Sequence, residues 1–185
     1  MSNFNNLLKP RIVNIENVSL NNTRVTLEPL ERGFGHTLGS ALRRILLSSI
    51  VGSSVTEVSI DGVQHEYSTI EGIQEDVIDI MLNLKGISFK MNGNTSTSLS
   101  LSKSEVGPVL ASDIELKNDI EIINPNHVIA NITKDGASIN MQIVVNEGIG
   151  YSSANQRKDD ANRNVGSLLI DASYSPIKKV AYKVD

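Results

Sequence analysis

Cysteine and tryptophan are both absent from the 185 residues. Without a thiol the chain has no disulfide, no thiolate zinc site and no cysteine nucleophile, which suits a reducing compartment and makes the cytoplasm the expected location. Aromatic residues are few, three Phe and four Tyr, so the interior has to be built from Ile, Leu, Val and Met. Basic residues do not outnumber acidic ones. The 17 Lys plus Arg against 21 Asp plus Glu leave a net charge of -4, the wrong sign for a chain that neutralises phosphates by itself. No run approaches the roughly 20 apolar residues of a membrane span. The start, MSNFNNLLKPR, lacks the basic-then-apolar order of a signal peptide. No membrane partner is expected.

Residues that carry chemistry are scarce too. The only imidazoles are His36, His65 and His127, and none stands in H-E-x-x-H spacing. No serine occupies a G-x-S-x-G elbow. The pair Asp159 and Asp160 falls in a polar stretch, where a solvated loop tip is the simpler reading. Gly33, Gly35 and Gly39 follow a strand and open a helix, but Leu38 takes the place of the third glycine in G-x-G-x-x-G, so turn and packing roles outweigh phosphate binding. No catalytic residue, metal or cofactor is expected in this chain.

What the sequence does contain is periodicity. Arg11 to Glu16 and Thr23 to Glu28 read as short strands around a turn at Asn21 and Asn22, with Pro29 ending the second. Phe34, Leu38, Ala41, Leu42, Ile45 and Ser49 then recur at helical spacing. Leu46 and Leu47 widen that stripe beyond what one buried face needs, which points to a second partner surface. Arg43 and Arg44, about 100° apart on the helix, cannot both face one neighbour. Either both are solvated or one is directed at another chain as a bidentate fork.

After Gly52 the pattern shortens to alternating segments: Thr56, Val58 and Ile60; Leu99 and Leu101; and Ala137, Ile139, Met141, Ile143 and Val145. These predict antiparallel sheet. One helix interrupts them, with a capping box at Ser68 and Glu71, apolar positions Val77, Ile80, Met81 and Leu84, and a stop at Gly86. Residues 148–164 are polar and aperiodic and predict an exposed loop. Strand character returns at 168–170 and again at 179–184, where Val180, Tyr182 and Val184 alternate with Lys179, Ala181 and Lys183. The fold class is α+β.

The segments LKPRIVNIENV, VTLEPLERGFGHTLGSALRRILLSS, VTEVSIDGVQHEYSTIEGIQEDV, LNLKG and YSPIKKVAYKV together resemble the bacterial RNA polymerase alpha subunit, in its N-terminal domain, over nearly the whole chain. The resemblance implies a discontinuous dimerisation subdomain carrying the long helix, residues 1–51 and 177–185, with a β-rich α+β subdomain inserted at 52–176. It also implies a non-catalytic scaffold of a nucleotidyltransferase. Two alpha chains pair, as a homodimer or a heterodimer, and recruit the beta and beta prime subunits. By the same resemblance Arg44 and Leu47 contact beta, Lys85 and Ile170 contact beta prime, and Phe34 and Leu38 form the dimer seam. The catalytic Mg²⁺ belongs to another subunit.

Departures from the family pattern cluster at Gly148 to Ala154, where a basic residue and a Val-Pro-Ala run are replaced, and at Asn164 and Val165. They keep open an alternative, a divergent alpha paralogue that forms a heterodimer with a specialised regulator-facing surface. The family continues after YSPIKKVAYKV with helices of the dimerisation subdomain, a linker and a DNA-binding domain that this sequence does not include. No direct DNA contact is therefore expected of it.

Overall fold

The computed structural model describes residues 9–117, 119–157 and 166–185. They form two compact units. One joins the N-terminal segment through Leu46 to Lys179–Asp185, and the other is Leu47–Lys178.

In the discontinuous unit, β1 (Arg11–Ser19) and β2 (Asn22–Glu28) make an antiparallel hairpin. The register pairs Ile12 with Leu27 and Ile15 with Val25, while a bulge between Ile12 and Asn14 takes up one extra residue. Cross-strand partners share a face, so Ile12, Ile15, Val25 and Leu27 line one side. The ion pair of Arg24 with Glu16, 3.3 Å, lies on the other. Helix α1 (Phe34–Ser48) starts after Gly33, whose φ of 90° suits glycine alone. Among the described residues of this unit only Gly35 is buried. The strand expected at 179–184 is not formed. That segment lacks a ladder partner and is held by side-chain contacts instead, with Tyr182 beside Gly39 and Val184 beside Gly35.

The larger unit is built from β3 (Val51–Ile60), α2 (Val77–Lys85), β4 (Phe89–Met91), β5 (Ser96–Lys103), β6 (Gly107–Leu110), β7 (Ile114–Glu115), β8 (Ile120–Ile122), β9 (Val128–Ile132), β10 (Ile139–Ile149), β11 (Tyr151–Ser152), β12 (Leu168–Leu169) and β13 (Ala172–Ser173). Seven strands form an antiparallel sheet in the order β7-β5-β10-β3-β4-β8, with β12 also on β3. Ile143 on β10 lies opposite Leu99 and Val58 in the two neighbouring strands, and all three are buried. The alternation predicted at 139–145 thus faces the core. Phe89 and Tyr174 are its only buried aromatics among the described residues, in keeping with an aliphatic interior.

Helix α2 buries Val77, Ile80 and Leu84. Its predicted start is corrected: the N-cap is Asp76, eight residues after Ser68. Ser68 Oγ pairs instead with His65 Nδ1 at 3.1 Å, and Glu71 pairs with Lys134. Ser68 still serves the helix, through its backbone carbonyl, which accepts the Val77 N–H at 3.2 Å. Gly86 caps the other end as expected. Within the loop predicted at 148–164, β10 runs through Ile149, β11 follows, and a 3₁₀ turn forms at Ala154–Arg157. Asp159, Asp160, Asn164 and Val165 lie outside the described residues.

A half-buried ion pair secures the edge of the sheet. Lys103 Nζ reaches Asp113 Oδ2 at 2.7 Å, and the Leu110 N–H donates to the same oxygen at 2.7 Å. Burial acts to raise the Asp113 pKa, but these two donors outweigh it and hold the carboxyl below the ordinary value of 3.8. A carboxylate depressed on folding stabilises the native state above its unfolded pKa, and the contribution is lost as pH falls through the folded value. Urea midpoints at pH 7 and pH 3 should therefore differ less in Asp113→Asn than in the wild type. An identical difference would remove Asp113 from the acid response.

Candidate functional site

Two surfaces carry the residues singled out in the sequence. On α1, at about 100° per residue, Phe34, Leu38 and Ile45 share one face. Gly35 and Gly39 lie roughly 100° from it, and Arg44 and Leu47 lie roughly 130° away on the opposite side. Phe34 and Ile45 are each 53% exposed, Leu38 and Leu47 are half-buried, and Arg44 is exposed. The glycine face receives the C-terminal segment. A Cβ on Gly39 would stand 2.5 Å from the Tyr182 ring, and one on Gly35 2.7 Å from Val184 Cγ1. His36 meets Tyr182 edge to face with centroids 6.4 Å apart. Close packing thus accounts for the glycine spacing that superficially resembles a phosphate loop.

The second surface is a groove between α2 and β12, and it brings Lys85 and Ile170 together. Glu66, Ile78, Met81, Leu82, Leu169 and Asp171 line it as well. A bulge in the sheet positions its floor. Between β10 and β3 the register skips from Val144 opposite Glu57 to Val145 opposite Val55, which leaves Thr56 as the extra residue. The Thr56 carbonyl accepts the Ile170 N–H at 2.9 Å and Arg157 Nη1 at 3.1 Å, while Arg157 Nη2 donates to the Ile170 carbonyl. One guanidinium fork therefore ties the 3₁₀ turn, the bulge and the groove floor.

Beside Ile170, Asp171 Oδ1 accepts the Ala154 N–H at 2.7 Å. That bond, followed by the Tyr151 hydroxyl, holds the Asp171 carboxyl below its ordinary range. The same hydrogen bond raises the Tyr151 phenol, because the phenolate would face a carboxylate. Lys85 Nζ sits 5.9 Å from the centroid of the Tyr151 ring, within cation–π range. A partial signal for this surface lies in the sequence, since Ile78 and Leu82 add a second apolar stripe at i, i+4. None lies there for Arg157 or Asp171, whose partners are distant or set by the bulge.

Among the described residues, no group of three or more His, Asp or Glu could hold a metal ion. Among the described residues, no helix is long and apolar enough to cross a membrane.

The sequence pattern of the RNA polymerase Rpb3/RpoA insert domain matches residues 58–175. The match covers more than half of the chain and runs from the last residues of β3, across α2 and the groove, to just past β13. The chain therefore belongs to the RNA polymerase Rpb3/RpoA insert domain family, as the N-terminal domain of an alpha-type subunit of DNA-directed RNA polymerase.

Proposed function

We propose that the chain is a non-catalytic assembly subunit of the polymerase. Two alpha-type chains pair through the discontinuous unit, and the pair recruits beta and beta prime. The observation that carries this reading is the apolar surface of that unit. Ile12, Ile15 and Val25 of the hairpin are each at least half exposed, as are Phe34 and Ile45 of α1. A two-stranded hairpin is marginal by itself in water, and a cluster of bare aliphatic side chains marks a surface made to be covered by protein. A second alpha-type chain covers it in this reading, with Phe34 and Leu38 in the seam.

Beta is assigned to Arg44 and Leu47, and beta prime to Lys85 and Ile170. The separate faces of α1 support the first assignment, because a seam along Phe34 and Leu38 leaves Arg44 and Leu47 accessible to another subunit. The convergence of Lys85 and Ile170 on one groove supports the second. The chain holds no cofactor in this reading, and the nucleotidyl transfer belongs to other subunits. Charge reversal, Arg44→Glu, tests it. Recovery of beta with the tagged chain is expected to fall by about tenfold or more, as for loss of a charged anchor at an interface. Recovery at the wild-type level would overturn the role of Arg44.

A further inference from the structure

The turn from β4 to β5 holds a dipeptide that the rest of the chain does not repeat, because Asn92 is the only asparagine followed by glycine. Both residues are exposed. A Cβ built on Gly93 would meet nothing within 4 Å, so the space around the pair is open. Gly93 has a φ of 96°, which glycine adopts without strain. Among the described residues, no backbone carbonyl accepts the Gly93 N–H, and the Asn92 carboxamide makes no hydrogen bond. These are the conditions for an intramolecular reaction. The Gly93 nitrogen loses its proton and attacks Asn92 Cγ, a C–N bond forms, and the amide nitrogen leaves as ammonia, which closes a cyclic imide. A side chain on the attacking residue would crowd that ring, and glycine has none. Solvent water then opens the ring at either carbonyl. Opening at Cγ gives aspartate, and opening at the main-chain carbonyl routes the peptide through Cβ and Cγ as isoaspartate.

We propose that Asn92 with Gly93 is a site of self-modification, at which the chain ages by loss of ammonia, and that the isoaspartyl product loosens the edge of the sheet. The turn is tied to β8, which ends the strand order and pairs with β4. The Asn92 N–H donates to the Asp119 carbonyl at 2.9 Å, one step beyond the pairing of Met91 with Ile120. Asn94 Nδ2 donates to the Asp119 carboxylate. Isoaspartate inserts a methylene into the backbone between these two donors, so both cannot keep their hold on Asp119 without a shift of the turn. Either product also adds a negative charge to a turn that already grips one carboxylate. Two pairs of aspartate and glycine, Asp61 with Gly62 and Asp135 with Gly136, share the positive φ. They reach the same ring only by expelling water from a carboxylate, which resists attack, and isoaspartate accumulates there more slowly.

The purified full chain is incubated at mildly alkaline pH beside the same chain held unfolded in urea, and peptides covering Asn92 are followed by mass spectrometry. In the folded chain the amide is expected to become an acid at a rate comparable to that in urea, ahead of the other asparagines among the described residues. The larger product should accept a methyl group from an isoaspartyl-specific methyltransferase. Conversion in urea but not in the folded chain would overturn the site, since the fold would then hold the two groups apart. Asn92→Gln keeps a carboxamide but needs a larger ring to lose ammonia, so its aged sample should lose most of the acidic fraction that anion exchange separates from the wild type. An equally large acidic fraction in that variant would place the modification elsewhere. The isoaspartyl fraction is then compared with fresh chain by hydrogen exchange, where the β8 amides are expected to exchange about tenfold faster. Unchanged exchange in β8 would overturn the loosening of the edge.

Discussion

Gly52→Ala is expected to destabilise the β-rich unit by about 2–4 kcal/mol, one of the largest effects of any single methyl in the chain. The reason is steric and does not involve backbone strain, because Gly52 is not among the residues with positive φ. A Cβ there would lie 1.9 Å from the Tyr174 carbonyl oxygen and 3.3 Å from Pro176 Cδ. Neither obstacle is the free end of a flexible side chain. Tyr174 is itself anchored, since its N–H donates to the Gly150 carbonyl at 2.9 Å. Its ring lies over Gly148, where a Cβ would come within 2.7 Å of it. Gly148 is the direct cross-strand partner of Gly52. The two glycines thus form a bare patch on the β3–β10 ladder, and Tyr174 covers it with its carbonyl on one side and its ring on the other. Urea unfolding followed by far-UV circular dichroism measures the cost. A loss below about 0.5 kcal/mol, the range of an ordinary surface change, would mean that the 174–176 segment moves aside freely.

The same glycines mark where the sequence stopped being readable. The glycines at 35, 39, 52 and 148 are plain in the sequence, but what approaches each one comes from a segment far along the chain. Regular elements were legible because their signal is local. The i, i+4 repeat of α1 and the alternation from Ile139 to Val145 require no knowledge of their neighbours. The start of α2 misled because Ser68 and Glu71 have capping spacing, yet both side chains found other partners and left the helix to begin at Asp76. The last segment misled in a similar way. Val180, Tyr182 and Val184 alternate as a strand would, but alternation does not supply a ladder partner, and the glycine face of α1 takes Tyr182 and Val184 instead. Of the candidate site, Lys85 and Ile170 came from family resemblance. Their shared groove depends on a bulge at Thr56 and on Arg157, which lies 101 residues away from it, and no local pattern records such a contact.

The double substitution Phe34→Glu with Ile45→Glu is expected to convert a paired chain to a monomer without unfolding it. Both side chains are 53% exposed, so in the isolated chain the change belongs to the class of surface substitutions worth within about 0.5 kcal/mol. In the proposed pair the balance is different. A two-fold seam contains each position twice, so four carboxylates would lose water where four apolar side chains had met. Desolvating even part of that charge without partners costs several kcal/mol, and about 4 kcal/mol corresponds to roughly a thousandfold in Kd. Sedimentation velocity at micromolar concentration should therefore show the wild type at twice 20.1 kDa and the variant at 20.1 kDa, with superimposable far-UV spectra. A variant that still sediments as a dimer would remove this face of α1 from the seam. The hairpin gives an internal check, because Ile15→Glu alters the other exposed apolar face of the same unit. If α1 alone forms the seam, Ile15→Glu leaves the dimer intact. If one continuous surface is covered by the second chain, it weakens the dimer in the same direction as the α1 substitutions.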